Sequence, residues 1–108
     1  LRLARQEATA RGDIYTDDAL AWALYKNGRL ADAMRAAHRA LRLGTDDASL
    51  HYHAGMIAAA AGRPARAVRH LGRALALNPY FDLYQAPLAR VALARASAPD
   101  RLAREDRR

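Results

Sequence analysis

Residues 28–47 read GRLADAMRAAHRALRLGTDD, and residues 62–81 read GRPARAVRHLGRALALNPYF. With an offset of 34 residues, the same glycine, arginine, alanine and leucine positions recur: Gly28 with Gly62, Arg29 with Arg63, Ala33 with Ala67, Ala40 with Ala74, Leu41 with Leu75, and Leu43 with Leu77. A fixed period of about 20–50 residues is typical of proteins built from stacked supersecondary units. The chain therefore contains at least two copies of one structural unit.

The repeated positions have physical reasons. A glycine at a sharp turn between two helices avoids the steric penalty of a side chain, and Asn27-Gly28 is a strong turn pair. Repeated alanines five and twelve residues after each glycine let two helix axes approach closely. Asn78-Pro79 ends the second unit, because proline disfavours helical geometry at the preceding residue. Each unit therefore reads as helix, turn, helix.

Caps and breaks predict six helices. Gly12-Asp13 should separate the first two, Thr16 should cap the second, Gly44 should follow the third, and Pro64 should lie in the first turn of the fifth. The predicted ranges are 2–11, 16–27, 30–43, 47–61, 64–77 and 86–97.

The pattern resembles the tetratricopeptide repeat, and segments 15–26 and 52–57 resemble bacterial members of that family. The matching positions in the first unit are Leu20, Ala21, Leu24, Gly28, Ala33 and Ala40, and those in the second are Gly55, Gly62, Ala67, Ala74 and Pro79. The first unit departs from the family pattern at Ala21, where glycine is usual, and at Thr45, where proline is usual. The resemblance implies an all-α, right-handed solenoid of antiparallel helix pairs, here with about six helices.

At 108 residues the chain is expected to form a single domain. We divide it into an N-terminal capping helix (1–13), repeat one (14–47), repeat two (48–81), a C-terminal capping helix (82–98) and a basic tail (99–108). Two repeats bury few apolar faces on their own, so flanking helices should cover them. Alternatively, the chain is part of a longer array, or a dimer covers its ends.

The resemblance implies a binding module that holds a peptide or protein segment in a concave groove lined by the first helix of each pair. The candidate groove residues are Tyr15, Asp18, Trp22, Tyr25, Lys26, Tyr52, His53, Met56 and Arg90. Aromatic and arginine side chains dominate binding hot spots. The alternative is that Trp22 and Tyr52 simply pack between adjacent helices. The family's carboxylate clamp uses lysine and asparagine where this chain has Asp18, Trp22 and His53, which argues against capture of a peptide C-terminus by that route.

Arginines recur on the second helices, where they would form a basic ridge on the outer surface: Arg35, Arg39, Arg42, Arg66, Arg69 and Arg73. The net charge is +7, and Lys26 is the only lysine. One interpretation is a basic adaptor that binds RNA, the ribosome or an acidic partner. The other is a solvated face in a chain with arginine-biased codons, which we favour because no aromatic residues are interleaved. Self-association as a scaffold is a third possibility.

Several classes of function have no support in the sequence. No phosphate loop and no nucleophile–base arrangement is visible, so we expect no enzyme activity and no cofactor. His51 and His53 are two residues apart and should point to different sides of a helix, which argues against a metal site. No apolar run reaches transmembrane length, so we expect no membrane insertion. We favour the cytoplasm, with export the alternative if a segment upstream of Leu1 was removed.

Overall fold

A computed structural model describes residues 2–42, 44, 46–80, 82 and 84–99, with side chains from residue 13 onward. These residues form five α-helices and no strand: α1 (Arg2–Lys26), α2 (Leu30–Leu41), α3 (Ala48–Ala60), α4 (Pro64–Leu77) and α5 (Gln85–Ala96). The all-α prediction is confirmed. The right-handed solenoid and the domain divisions stay predictions. Leu43, Thr45 and most of the predicted basic tail lie outside the described residues.

The predicted break at Gly12-Asp13 is wrong, and so is the predicted cap at Thr16. Residues 2–26 form one continuous helix, so the described chain has five helices instead of about six. A glycine inside a helix costs only about 1 kcal/mol relative to alanine. That penalty is too small to end a helix whose neighbouring residues include no proline.

The turns after α1 and α3 have the same hydrogen bonds, 34 residues apart. The backbone N–H of Arg29 donates to the carbonyl of Leu24 at 2.9 Å, and that of Arg63 donates to Ala58 at the same distance. These are the hydrogen bonds of a Schellman motif, in which the residue after the helix end has a positive φ. Gly28 and Gly62 occupy that position, and both have a φ of +75°. Short turns of this kind join antiparallel helices. α1–α2 and α3–α4 are therefore two copies of one helical hairpin.

Local chemistry fixes where the other helices begin. The Asp47 carboxylate accepts the backbone N–H of Ser49 and caps α3, as expected for an acidic residue at a helix start. Pro64 occupies the first turn of α4, which begins and ends at the predicted residues. The Asp82 carboxylate accepts the N–H groups of Tyr84 and Gln85 and so caps α5.

Helix α3 is the centre of the molecule, since it contacts each of the other four helices. Its Ala54 and Ile57 pack in a cluster with α1 and α2, while its Tyr52 and Ala58 pack in a second cluster with α4 and α5. An apolar helix buried on several sides is expected to have no single hydrophobic stripe, and α3 has none.

Alanine forms most of the core. Ala33 and Ala67 are fully buried, as the repeat predicted. The sequence predicts that Leu88, Val91 and Leu93 of α5 cover repeat two. Leu93 is partly buried and packs against the core cluster, as predicted. Leu88 and Val91 are instead about half exposed, and the buried residues of α5 are Ala86, Ala89 and Ala96. The spacing of three and seven residues puts these alanines on one face, which packs closely against α3 and α4.

The backbone of α3 lies very close to α4 at Gly55. A Cβ atom added there would lie 2.6 Å from Cγ of Leu71 and 3.0 Å from its backbone nitrogen. Gly72, the next residue on α4, has no atom within 4 Å of its Cβ position. The two glycines therefore have different roles: Gly55 permits helix contact, and Gly72 only weakens its own helix.

We predict that Gly55→Ala lowers the free energy of unfolding by about 1–3 kcal/mol, because Leu71 is fully buried and has no room to move. Gly72→Ala should raise it by about 0.5–1 kcal/mol, because alanine is the better helix former. Urea unfolding of the parent and both variants measures whether each substitution lowers or raises the free energy of unfolding. A stabilising Gly55→Ala substitution would contradict the described contact between α3 and α4.

Candidate functional site

An aromatic cluster joins α1 to α3. The Trp22 ring stacks on Tyr25 with centroids 4.8 Å apart and on His53 with centroids 4.3 Å apart. The ring of Tyr52 is tilted against Trp22 at 5.8 Å. Trp22 and Tyr25 are three residues apart on one face of α1, which explains why both meet the same part of α3. The sequence predicted these four residues as neighbours in a groove, and they lie together.

Asp18 and His53 form a partly buried pair across the same two helices. A carboxylate oxygen of Asp18 lies 2.8 Å from Nδ1 of His53, and the two side chains are only 15% and 14% exposed. Asp18 is one turn before Trp22, so the pair lies beside the ring stack. This contact fixes the imidazole orientation against Trp22.

The predicted helix 16–27 would place Asp17 and Asp18 at a helix start, but both residues lie inside α1. Asp17 instead reaches Arg39 on α2 at 3.4 Å, while Asp18 reaches His53 on α3. Adjacent helical residues point about 100° apart, so consecutive carboxylates contact different helices. The two acids join α1 to both of its neighbours.

Tyr52 lies in the core, and Met56 beside it is only partly exposed. Tyr52 is 2% exposed and belongs to the core cluster, against which Met56 and Trp22 pack. Burial raises the pKa of the Tyr52 phenol above its ordinary value, and Tyr25 and Asp82 raise it further. Tyr52 therefore supports Trp22 from behind and presents little surface to a ligand.

The other candidate groove residues lie around this cluster. Lys26 places its ammonium 5.8 Å from the Trp22 ring centroid. The Tyr15 hydroxyl donates to the Asp47 carboxylate at 3.0 Å, at the start of α3. Arg90 lies farther along, where its guanidinium stacks 5.4 Å from the Tyr80 ring centroid.

Residues 48–81 match the family model of the tetratricopeptide repeat. This range is the predicted second repeat, and the match supports a protein of tetratricopeptide type. No curated protein matches the chain, and no solved structure does. Tetratricopeptide repeats are in general modules for protein–protein interaction.

The arginines of the predicted basic ridge differ in their surroundings. Three are exposed and paired with aspartates: Arg35 with Asp32, Arg39 with Asp17, and Arg73 with Asp46. None of the ion pairs in the described part of the chain includes the exposed Arg42, Arg66 or Arg69. The repeated arginines are therefore not one uniform charged surface.

Arg66 and Arg69 border a trough that the repeat pattern did not reveal. It lies between α2 and α4, where one cavity has a volume of about 320 Å³ and an adjoining one about 490 Å³. We define the α2–α4 trough by the residues that line these cavities: Ala31, Met34, Arg35, Ala37, His38, Arg39, Leu41, Ala54, Ile57, Ala58, Arg66, Arg69 and His70. His38 and His70 are 32 residues apart in the sequence, and only the packing of the two repeats brings them together.

The histidines of α3 point to opposite sides, as their spacing predicted. His53 faces α1, whereas Nδ1 of His51 lies 3.4 Å from Nδ1 of His70 on α4. Burial lowers the pKa of His70, and His51, Arg69 and Arg66 lower it further. No group of three potential metal ligands occurs among the described residues. No helix in that part of the chain is long and apolar enough to span a bilayer.

We predict that Asp18→Ala lowers the free energy of unfolding by about 1–2 kcal/mol, because it leaves a partly buried imidazole without its acceptor. Asp18→Asn keeps an acceptor and should cost less. The control is Asp17→Ala, which changes helix propensity by the same amount. It removes the pair of Asp17 with Arg39, which is longer and more exposed and should contribute less than about 1 kcal/mol. Equal losses in the two alanine variants would argue against a structural role for the pair of Asp18 with His53.

We also predict a pH dependence that originates in His70. Its pKa is lower in the folded protein than in the unfolded chain, so the unfolded chain binds more protons below about pH 6.5. Stability should therefore fall as the pH decreases through that value. His70→Gln should lose less stability than the parent between neutral pH and about pH 5 in urea unfolding, whereas His38→Gln, at an exposed position, should follow the parent. An unchanged pH dependence in His70→Gln would exclude this origin.

Proposed function

We propose that this protein binds a peptide or protein segment on the face formed by α1 and α3, with Trp22 as the main contact. The observation that carries the proposal is the stack of Trp22 between Tyr25 and His53. A ring held on two sides is already ordered, so a ligand that covers it loses little additional conformational entropy. Trp22 is partly exposed, so some of its surface is open to such a ligand.

Charged groups at the edges of this face would give the ligand an orientation. Lys26 lies next to Trp22 and is exposed, while Tyr15 is 53% exposed near the start of α3. A carboxylate of the ligand could meet Lys26 while an apolar or aromatic side chain covers Trp22. Interfaces that combine a central aromatic contact with a polar rim are common among protein complexes.

The interpretation as an RNA or ribosome adaptor has weaker support. Arg35, Arg39 and Arg73 are paired with aspartates, which reduces the positive charge available to phosphates. Among the described residues that line the α2–α4 trough, the only rings are the imidazoles of His38 and His70. Grooves for single-stranded nucleic acids usually provide aromatic rings on which bases stack.

The test is a selection of peptides from a displayed random library on the immobilised protein, followed by affinity measurements with each variant. We predict that Trp22→Ala weakens binding of the selected peptides by about 2 kcal/mol or more. Lys26→Glu should also weaken it, and this exposed residue can be changed without removing core contacts. Because Trp22→Ala also opens a cavity in the core, its helix content and melting temperature must be measured first.

The matched controls are Arg39→Ala and Arg73→Ala, which lie on α2 and α4 and should leave the affinity nearly unchanged. If the selected peptides bind Lys26→Glu and a folded Trp22→Ala as well as the parent, the proposed face is wrong. If the arginine variants abolish binding instead, the outer surface of α2 and α4 is the binding site.

A further inference from the structure

We propose that the α2–α4 trough is a second binding site, separate from the aromatic face, and that it takes an acidic amphipathic helix from a partner protein. Its floor is apolar, its rim carries two arginines without an ion pair in the described part of the chain, and it is long enough for a helical segment. Each of these three properties constrains the occupant.

The apolar floor comes from two helices. Met34, Ala37 and Leu41 lie along α2, while Ile57 and Ala58 of α3 close the bottom. Met34, Ala37 and Leu41 have the spacing of a single helical face. Ala37, Ile57 and Ala58 are buried, whereas Met34 and Leu41 are partly exposed. Aliphatic side chains of a ligand that cover Met34 and Leu41 would remove apolar surface from water.

The rim is positively charged. Arg66 and Arg69 border the 320 Å³ cavity, and Arg35 and Arg39 border its extension. Asp17 pairs with Arg39, and Asp32 is shared by Arg35 and Arg29, so Arg66 and Arg69 are the rim arginines without an ion pair in the described part of the chain. Both arginines contribute to the lowered pKa of His70 inside the trough, so their positive potential extends to the cavity. A ligand with carboxylates beside its apolar side chains would match this arrangement.

The length of the trough favours a helix. Its lining on α2 extends from Ala31 to Leu41, which corresponds to about 15 Å along the helix axis. The opposite side of the trough is formed by Arg66, Arg69 and His70 of α4. A helical wall of this length beside an apolar floor is the type of surface on which amphipathic helices dock. Volumes of about 300–500 Å³ are small for a complete ligand but suit one or two anchoring side chains.

Charge argues against two other occupants. The end of this chain, RLAREDRR at 101–108, carries more basic than acidic residues and would be repelled by the rim. A second copy has a net charge of +7 and is also a poor match. An acidic partner protein remains the complementary choice.

The experiment uses a fluorescein-labelled, end-blocked helical peptide of about four turns, with leucines on one face, glutamates beside them and alanines elsewhere. Fluorescence anisotropy measures its affinity for the parent chain and for two double variants that lose the same charge. Arg66→Gln/Arg69→Gln changes the trough, whereas Arg29→Gln/Arg95→Gln removes the same charge from exposed positions in the turn after α1 and on α5. We expect the first variant to bind about tenfold more weakly than the parent and the second to bind with less than about a threefold change.

Three further probes separate the contributions of charge and apolar contact. Replacing the peptide's leucines by alanine, or its glutamates by glutamine, should weaken binding about tenfold in each case. A single-stranded DNA of the same net charge should not displace the peptide. Lys26→Glu, which changes the aromatic face, should bind the peptide about as well as the parent, so failure of the two proposals can be distinguished.

The proposal is overturned if the peptide does not bind or if the two double variants lose affinity equally. Equal affinity of the leucine and alanine peptides would also overturn it, because binding would then be a charge effect without use of the apolar floor. Displacement by DNA would identify phosphate groups as the ligand. Circular dichroism of each variant confirms that the exposed substitutions leave the fold unchanged.

Discussion

The close contact of α3 with α4 is the constraint on which the other contacts depend. Gly55 lets the backbone of α3 approach Leu71, and the fully buried Ala67 and Ala74 form part of the same packed surface on α4. With the second hairpin held this closely, α3 is positioned to contact α1, α2 and α5 as well. The aromatic face needs the contact of α3 with α1, and the trough needs α3 as its floor. Both candidate sites therefore depend on helix packing through small residues.

The repeat revealed those features that depend on local chemistry. The turns at Gly28 and Gly62 and the bounds of α4 each follow from a few adjacent residues. The continuity of α1 did not follow, because the cost of one helical glycine is comparable to the small propensity differences of its neighbours. The buried face of α5 was also missed, because leucine predicts burial more strongly than alanine does. Close packing reversed that preference at Leu88 and Ala89.

In the two candidate sites, too, the features set by nearby residues were predictable from the sequence, whereas those set by helix packing were not. Asp18, Trp22 and Tyr25 share one helical face, so the sequence predicted that they lie together, and their partner His53 was placed by the repeat register. The pairing of Asp18 with His53 and the burial of Tyr52 depend on the angle between α1 and α3, which a sequence period does not specify. His38 and His70 had no local signal at all. Their common position beside the trough arises only because α2 and α4 remain separated while both pack on α3.

Ion pairing explains why a chain with a net charge of +7 has a localised site instead of a uniformly basic surface. Asp17, Asp32 and Asp46 each meet an arginine of α2 or α4, and exposed pairs of this kind contribute little to stability. Their larger effect is on the surface potential, because they cancel positive charge beside the trough and leave Arg66 and Arg69 without a carboxylate partner in the described part of the chain. These two arginines lie one turn apart on α4, next to apolar surface that helix packing has left open. A ligand must therefore place carboxylates against these arginines and apolar side chains against the neighbouring surface at the same time. This double requirement distinguishes recognition of an acidic amphipathic helix from nonspecific attraction to any anion.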